Sequence, residues 1–390
     1  MSQVPSKMRS SIALALLVAA AAPAAADDPA DTDADAAALA AAKKEKKKAK
    51  DDAKRKAGDT LEVHGRVFAR GAAAKEETAL GAGAWTSELT LASARIGVDY
   101  QWREQVRAKL SYEAAKSSVR DAYVELDLDH GLRLRAGRMK LPVGALEQTS
   151  SWTLPTIGRG MVADAVADGL GASGRRSAME LRWKAKAGVR PSVTLAVAQG
   201  VRTAGGQQPG LVDEGGGLTV AARVGVEPCA MYRVAAVGAS RVVNYGSAVA
   251  RYWNAGLEVE VDLADAGYGL RLWGDAMYGT SHLGAAALGD ADRTFADAAL
   301  TAGYRLGGAD SGARYVEPYV GAGWFNPIAD RKRDDTAEVV VGVAGGLWKR
   351  WRVQGQFAYQ NAKALRPAGL LGTADINDRQ AVAVQLSTAF

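Results

Sequence analysis

From Thr60 onward the chain alternates apolar and polar residues with a period of two. In the stretch 61–70, Leu61, Val63, Gly65, Val67 and Ala69 share one face, and Glu62, His64, Arg66 and Arg70 share the other. Val106, Ala108, Leu110 and Tyr112 stand in the same way against Arg107, Lys109 and Glu113. So do Ala122, Val124, Leu126 and Leu128 against Asp121, Glu125 and Asp127. This is the period of a β-strand with two unlike faces. Sixteen such segments begin near residues 60, 84, 104, 118, 131, 175, 191, 217, 229, 249, 266, 292, 313, 335, 349 and 377.

A soluble sandwich also alternates, but three features point to a membrane. One face is charged on nearly every strand, as a water-filled lumen requires. The segments reach the roughly 9–11 residues that a tilted strand needs to cross a bilayer. Aromatic residues stand near strand ends: Tyr100, Trp102, Tyr278, Trp324, Phe325, Trp348 and Trp351. These are candidates for interface girdles. The connections give an independent test, since such barrels have long outer loops and short periplasmic turns. With the N-terminus in the periplasm, the long connections 142–174, 202–216, 279–291, 326–334 and 364–376 all fall outside. The short ones, around 129–130, 187–190, 228, 264–265 and 348, all fall inside; those near 116–117 and 307–312 fit less well. The fold expected is all-β, a 16-stranded antiparallel transmembrane β-barrel over residues 60–390.

The first 59 residues read differently. Lys7 and Arg9, the apolar run 12–22 and the small residues Ala24, Ala25 and Ala26 form a secretory signal peptide over 1–26. Residues 27–59 are an Ala/Lys-rich segment, helical or disordered, whose run 43–56 is strongly charged. The chain ends on the alternating stretch 379–390, with Val382, Val384, Leu386 and the terminal Phe390 on one face. That pattern resembles the signal read by the outer-membrane assembly machinery.

Charge and composition narrow the function. The formal charge is +6, with 49 Lys/Arg and 43 Asp/Glu. Residues 1–57 hold 11 and 8 of these, which leaves 38 against 35 and hence only about +3 for the barrel. That is too little for a nucleic-acid partner. The one cysteine, Cys229, forms no internal disulfide or zinc motif, and His64, His130 and His282 lack metal spacing. No cofactor, metal or catalytic residue is expected. Cations outnumber acids on the inferred inner face, most of all between 95 and 186. Arg107, Lys109, Arg133, Arg135, Arg176, Arg182 and Lys184 stand there as candidate anion-binding residues. Arg138 and Lys140 continue the outward parity of Leu132 and Leu134 unless the strand bulges at Gly137.

Residues 118–183 carry a resemblance. The stretch 121–128 (DAYVELDL) leads to 132–142 (LRLRAGRMKLP), then 147–151 (EQTSS), an isolated Arg159, and the Gly174-Arg175-Arg176 turn before a strand. In order and spacing this resembles the phosphate-selective porin O and P family of outer-membrane porins. The resemblance implies a trimeric 16-stranded channel in a Gram-negative outer membrane, with its third loop, 142–174, folded into the pore as a constriction. It adds Arg159 and Arg175 to the candidate anion-binding residues. It implies passive diffusion of small hydrophilic solutes with anion preference, phosphate or polyphosphate being candidate solutes. A structural barrel with little conductance, tethered to the cell wall through segment 43–56, is the alternative. Anions, outer-membrane lipid, two further copies of the chain and the assembly machinery are the partners expected.

Overall fold

The computed structural model describes residues 59–78, 81–203, 212–245, 248–264, 268–281, 293–307, 314–329, 335–347, 350–362 and 376–390. The expected signal peptide and nearly all of the Ala/Lys-rich segment lie outside the described residues. Sixteen long strands stand in chain order: β1 Thr60–Thr78, β2 Thr86–Trp102, β3 Val106–Glu113 and β4 Ser118–Asp127. Then come β5 Leu132–Lys140, β6 Arg175–Lys184, β7 Pro191–Thr203 and β8 Val212–Cys229. β9 Tyr232–Tyr245, β10 Ala248–Asp262, β11 Leu270–Ser281 and β12 Arg293–Tyr304 follow. β13 Tyr315–Asn326, β14 Thr336–Leu347, β15 Trp351–Ala362 and β16 Ile376–Ala389 complete the set. A two-residue strand, Gly81–Ala82, extends the β1–β2 hairpin.

Consecutive strands pair antiparallel, and the sheet closes because β1 pairs with both β2 and β16. Thr60 lies opposite Gln101, and Arg66 opposite Ala389. Closure gives every long strand a paired neighbour on both sides, as a sheet in hydrocarbon requires. Observed starts fall within three residues of the expected ones, except at β8 and β11. The glycine run 215–217 hid the beginning of β8, and Gly269, with φ near +71°, ends a turn that the alternation had absorbed into β11.

The two faces separate as the period demands. Leu61, Val63, Leu110, Val124, Leu181, Leu195, Val224, Leu257 and Val384 stand outside. Tyr100, Trp102, Tyr278, Trp324 and Trp351 also stand outside, where girdle residues belong. Phe325 does not: it is buried inside against Phe295, with ring centroids 6.5 Å apart. Trp348 lies outside the described residues.

The apolar core is in the lumen. The connection between β5 and β6 folds inward through two short helices, α1 Ala145–Gln148 and α2 Met161–Asp164, followed by a π-helical turn at Ala165–Gly169. Val143, Met161, Val162, Val166 and Leu170 of this loop pack on Ala178, Ala196, Ala198, Ala221, Val237 and Ala239. Small inward residues on β6 to β9 leave the loop room, and burial at about 25 cal/mol per Å² of apolar surface holds it there.

Gly137 sits in β5 with φ near +129°, and a Cβ there would lie 2.7 Å from the Tyr123 Cα and closer still to the Ala122 carbonyl oxygen. The register through Gly137 is unbroken, so Arg138 keeps its outward side, where its Nε donates to the Val119 carbonyl at 3.1 Å. Lys140 and Arg175, paired at the strand ends, both turn inward. The Gly137→Val protein is expected to refold into detergent with much lower yield of compact, heat-modifiable barrel. The backbone strain alone is about 1–3 kcal/mol, before the overlap with β4 is counted.

Candidate functional site

The candidate cations stand on β3 to β6, and their exposure shows how the wall is layered. Arg135 contacts Glu125 and lies 3.5 Å from Glu180, and Arg182 reaches Glu180 at 3.1 Å. Arg133 is 3.6 Å from Glu125 and 3.3 Å from Asp127, and Arg107 is 3.9 Å from Glu125. The Glu125 and Glu180 side chains are 6% and 2% exposed, while Arg107, Arg133 and Arg182 are 47%, 43% and 38% exposed. The carboxylates therefore lie beneath, and the guanidiniums face the water. A solute in the lumen meets cations first. Lys109 pairs with Asp99 at 3.2 Å and Lys184 with Glu227 at 2.6 Å on the same side of the barrel.

A bulge adds one cation to this wall. Ser111 faces Asp121 while Tyr112 faces Val119, so Arg120 is the extra residue between them. Its Nε is buried with no hydrogen-bond partner among the described residues. Beside it Arg175 holds Asp121 at 2.9 Å. Arg176, a candidate by parity, is placed otherwise. It is buried, donating to the Thr219 hydroxyl at 2.9 Å and to the Gly171 carbonyl, so it anchors the loop rather than facing solute. Arg159 rises from the loop itself. Its Nε donates to the Leu146 carbonyl at 2.9 Å and lies 3.2 Å from Glu147, which Lys140 also approaches at 3.9 Å.

The loop seats on the opposite wall and covers its acids. The Gly144 N–H donates to Glu258 at 2.6 Å, the Leu146 N–H to Asp275 at 3.4 Å, and the Met161 N–H to Glu338 at 2.8 Å. Other loop groups take the cations and amides of that wall. The Thr153 carbonyl accepts from Arg271 at 3.2 Å, and the carbonyls of Trp152 and Leu154 accept from Arg352. Gln354 donates to the Pro155 carbonyl at 2.7 Å, and Arg241 to the Leu170 carbonyl at 3.0 Å. Three carboxylates are thereby sequestered under backbone N–H groups. Glu258 and Asp275 are buried there, and Glu338 is half-buried.

What stays open is a cavity of about 530 Å³ between the loop and the basic wall. Arg66, Arg95, Lys109 and Arg135 line it, together with Lys140, Arg159, Arg175 and Arg182. The acid among its lining residues is Asp121. Of the nine candidates, Lys109, Arg135, Arg159, Arg175 and Arg182 meet at this cavity; Arg107, Arg133, Arg176 and Lys184 do not line it.

Residues 83–208 match the phosphate-selective porin O and P family. The matched stretch spans β2 to β7 and contains the loop and most of the cation wall of this porin barrel. A comparison with curated proteins returned no match. Among solved structures, the chain is similar to an anion-selective porin from Comamonas acidovorans, at 15% identity and a TM-score of 0.61, covering 85% of this chain and all of that one. It is similar to the trimer form of OmpT, an outer membrane protein of Vibrio cholerae, at 12% identity and a TM-score of 0.55, with 85% and 100% covered. It is also similar to the outer membrane channel DcaP of Acinetobacter baumannii, at 12% identity and a TM-score of 0.56, with 86% and 98% covered. The fold is that of an outer-membrane porin, and the barrel is a protein of the outer membrane.

Two loop carboxyls add a pH dependence. Solvent reaches the Asp164 side chain, yet the surrounding protein and the neighbouring Asp168 push its carboxyl up to about 7. It is mostly neutral below that pH and charged above it. Raising the pH from 6 to 8 therefore adds negative charge to the loop. The chloride-to-potassium permeability ratio is expected to fall modestly over that range. The Asp164→Asn protein should show a smaller fall than the unaltered one.

Proposed function

We propose that the chain is a passive diffusion channel of the outer membrane for small hydrophilic solutes, with a preference for anions. The observation that carries this is the cavity, which shows eight cations and one carboxylate to whatever enters. Arg and Lys at a narrow point attract anions and repel cations, and Arg adds a fork that fits carboxylate or phosphate. Residues 142–174 act as the constriction. Their hydrogen bonds and apolar packing hold them still, which suits a fixed filter better than a gate. Lys109, Arg135, Arg159, Arg175 and Arg182 are the anion-contacting residues of this proposal, and Arg107, Arg133 and Lys184 recruit anions at one rim. Homotrimeric assembly belongs to the same reading and is supported by the trimer form among the similar folds. The open cavity speaks against a plugged, purely structural barrel.

The test is the reversal potential of the purified protein in a planar bilayer under a tenfold potassium chloride gradient. Its expected sign is that of a chloride-preferring pore. A potassium-preferring sign, or no conductance at all, would falsify the reading.

A further inference from the structure

The cavity is not purely ionic. Half-buried Trp152 projects from the loop into it. Its ring lies 6.2 Å from that of Phe68, with 23° between the planes, and the Arg66 guanidinium stands 5.1 Å from the Phe68 ring centre. Phe68 points inward from β1, where the alternation otherwise puts Glu62, His64, Arg66 and Arg70. A second such pair stands on the basic wall: Tyr123 lines the cavity with the Arg135 guanidinium 4.5 Å from its ring centre. The cavity thus offers flat aromatic surface beside guanidinium forks. Ser150 and Ser151 add hydroxyls on the loop side.

A bare inorganic anion uses the forks and gains nothing from the indole. An aromatic ring held in a wet passage is useful to a solute that brings its own flat apolar face. A carboxylate on that ring can be taken by a fork at the same time. We propose that the preferred solutes are small aromatic carboxylates, with the ring lying against Trp152 and the carboxylate held by the guanidiniums around it. This rests on the anion-preferring reading above and names the solute class for the same cavity. Phosphate then crosses as an ordinary anion.

The experiment measures block of chloride current through the full chain in planar bilayers. Benzoate, cyclohexanecarboxylate and inorganic phosphate are added separately, at matched ionic strength. Benzoate and cyclohexanecarboxylate share charge and approximate size, and differ in planarity and π character. Benzoate is expected to half-block at about three- to tenfold lower concentration than cyclohexanecarboxylate, the worth of one stacking contact. It should also act below the concentration at which phosphate does. In the Trp152→Ala protein the ratio of the two carboxylates should fall to about one, and Trp152→Phe should keep it above one. Equal potency of the two rings in the unaltered protein overturns the proposal without any variant. So does a ratio that Trp152→Ala leaves unchanged, or phosphate acting at the lowest concentration. The reversal potential in potassium chloride alone separates the two ideas. A chloride-preferring pore with no preference for the flat ring sinks only the solute class, while a potassium-preferring pore sinks both.

Discussion

Removing residues 144–172 and joining the ends with a short Gly/Ser linker is expected to raise single-channel conductance several-fold and to shift selectivity towards cations. The first effect is steric, since the loop occupies the lumen. The second follows from which groups the loop covers. Glu258, Asp275 and Glu338 lose the N–H donors of Gly144, Leu146 and Met161, or the crowding around them, and come to face water. The basic wall keeps its cations, but three carboxylates now stand opposite them. A cross-check uses Asp275→Asn with Glu338→Gln. In the intact channel this pair should change selectivity little, because loop N–H groups occupy both carboxylates. In the loop-less channel it should restore much of the chloride preference. If loop removal left the permeability ratio where it was, the loop would be only an obstacle.

The second large effect concerns the wall itself. Arg135→Glu combined with Arg182→Glu is expected to lower the chloride-to-potassium permeability ratio about tenfold or more. Each charge at contact distance is worth about 1 kcal/mol even in bulk water, and 1.4 kcal/mol is roughly a tenfold ratio. Both substitutions also strip Glu180 of Arg135 and Arg182 and take Arg135 from Glu125, so buried acids are unmasked as new ones arrive. The change should shrink at 1 M salt, where the screening length is about 3 Å. An equal effect at low and high salt would point to a rearranged lumen instead of an altered field. Folding is checked by heat-modifiable migration of both proteins.

The barrel was legible in the chain because each strand has to serve two solvents. Leu61, Val63 and Val67 alternate with Glu62, His64 and Arg66 since lipid lies on one side and water on the other. That constraint is local, so it is written locally. Arg241 and Glu338 could have been found by the same parity. They share the inward sides of Arg233 on β9 and Val340 on β14, and both hold the loop. Arg120 could not, because a bulge resets the parity between Val119 and Asp121. Parity put Arg176 on the inner face, and Arg175 entered only through the resemblance. Only the path of the loop decides that one anchors it and the other faces the cavity. Phe325 was misplaced for a related reason: an aromatic near a strand end suits a girdle equally well until Phe295 and the loop are seen beneath it. The layering of cations over carboxylates depends on contacts across four neighbouring strands, and no single segment carries it.

The anchoring of the loop also bears on the order in which the molecule can be completed. Arg352 on β15 meets the Leu154 carbonyl across 198 residues of chain, and Glu338 on β14 meets the Met161 N–H across 177. Contacts so distant in sequence form late, because the intervening chain must first be placed. A chain stalled before β14 still lacks the partners of Leu154, Pro155 and Met161. The constriction therefore takes its final set at about the moment the wall closes.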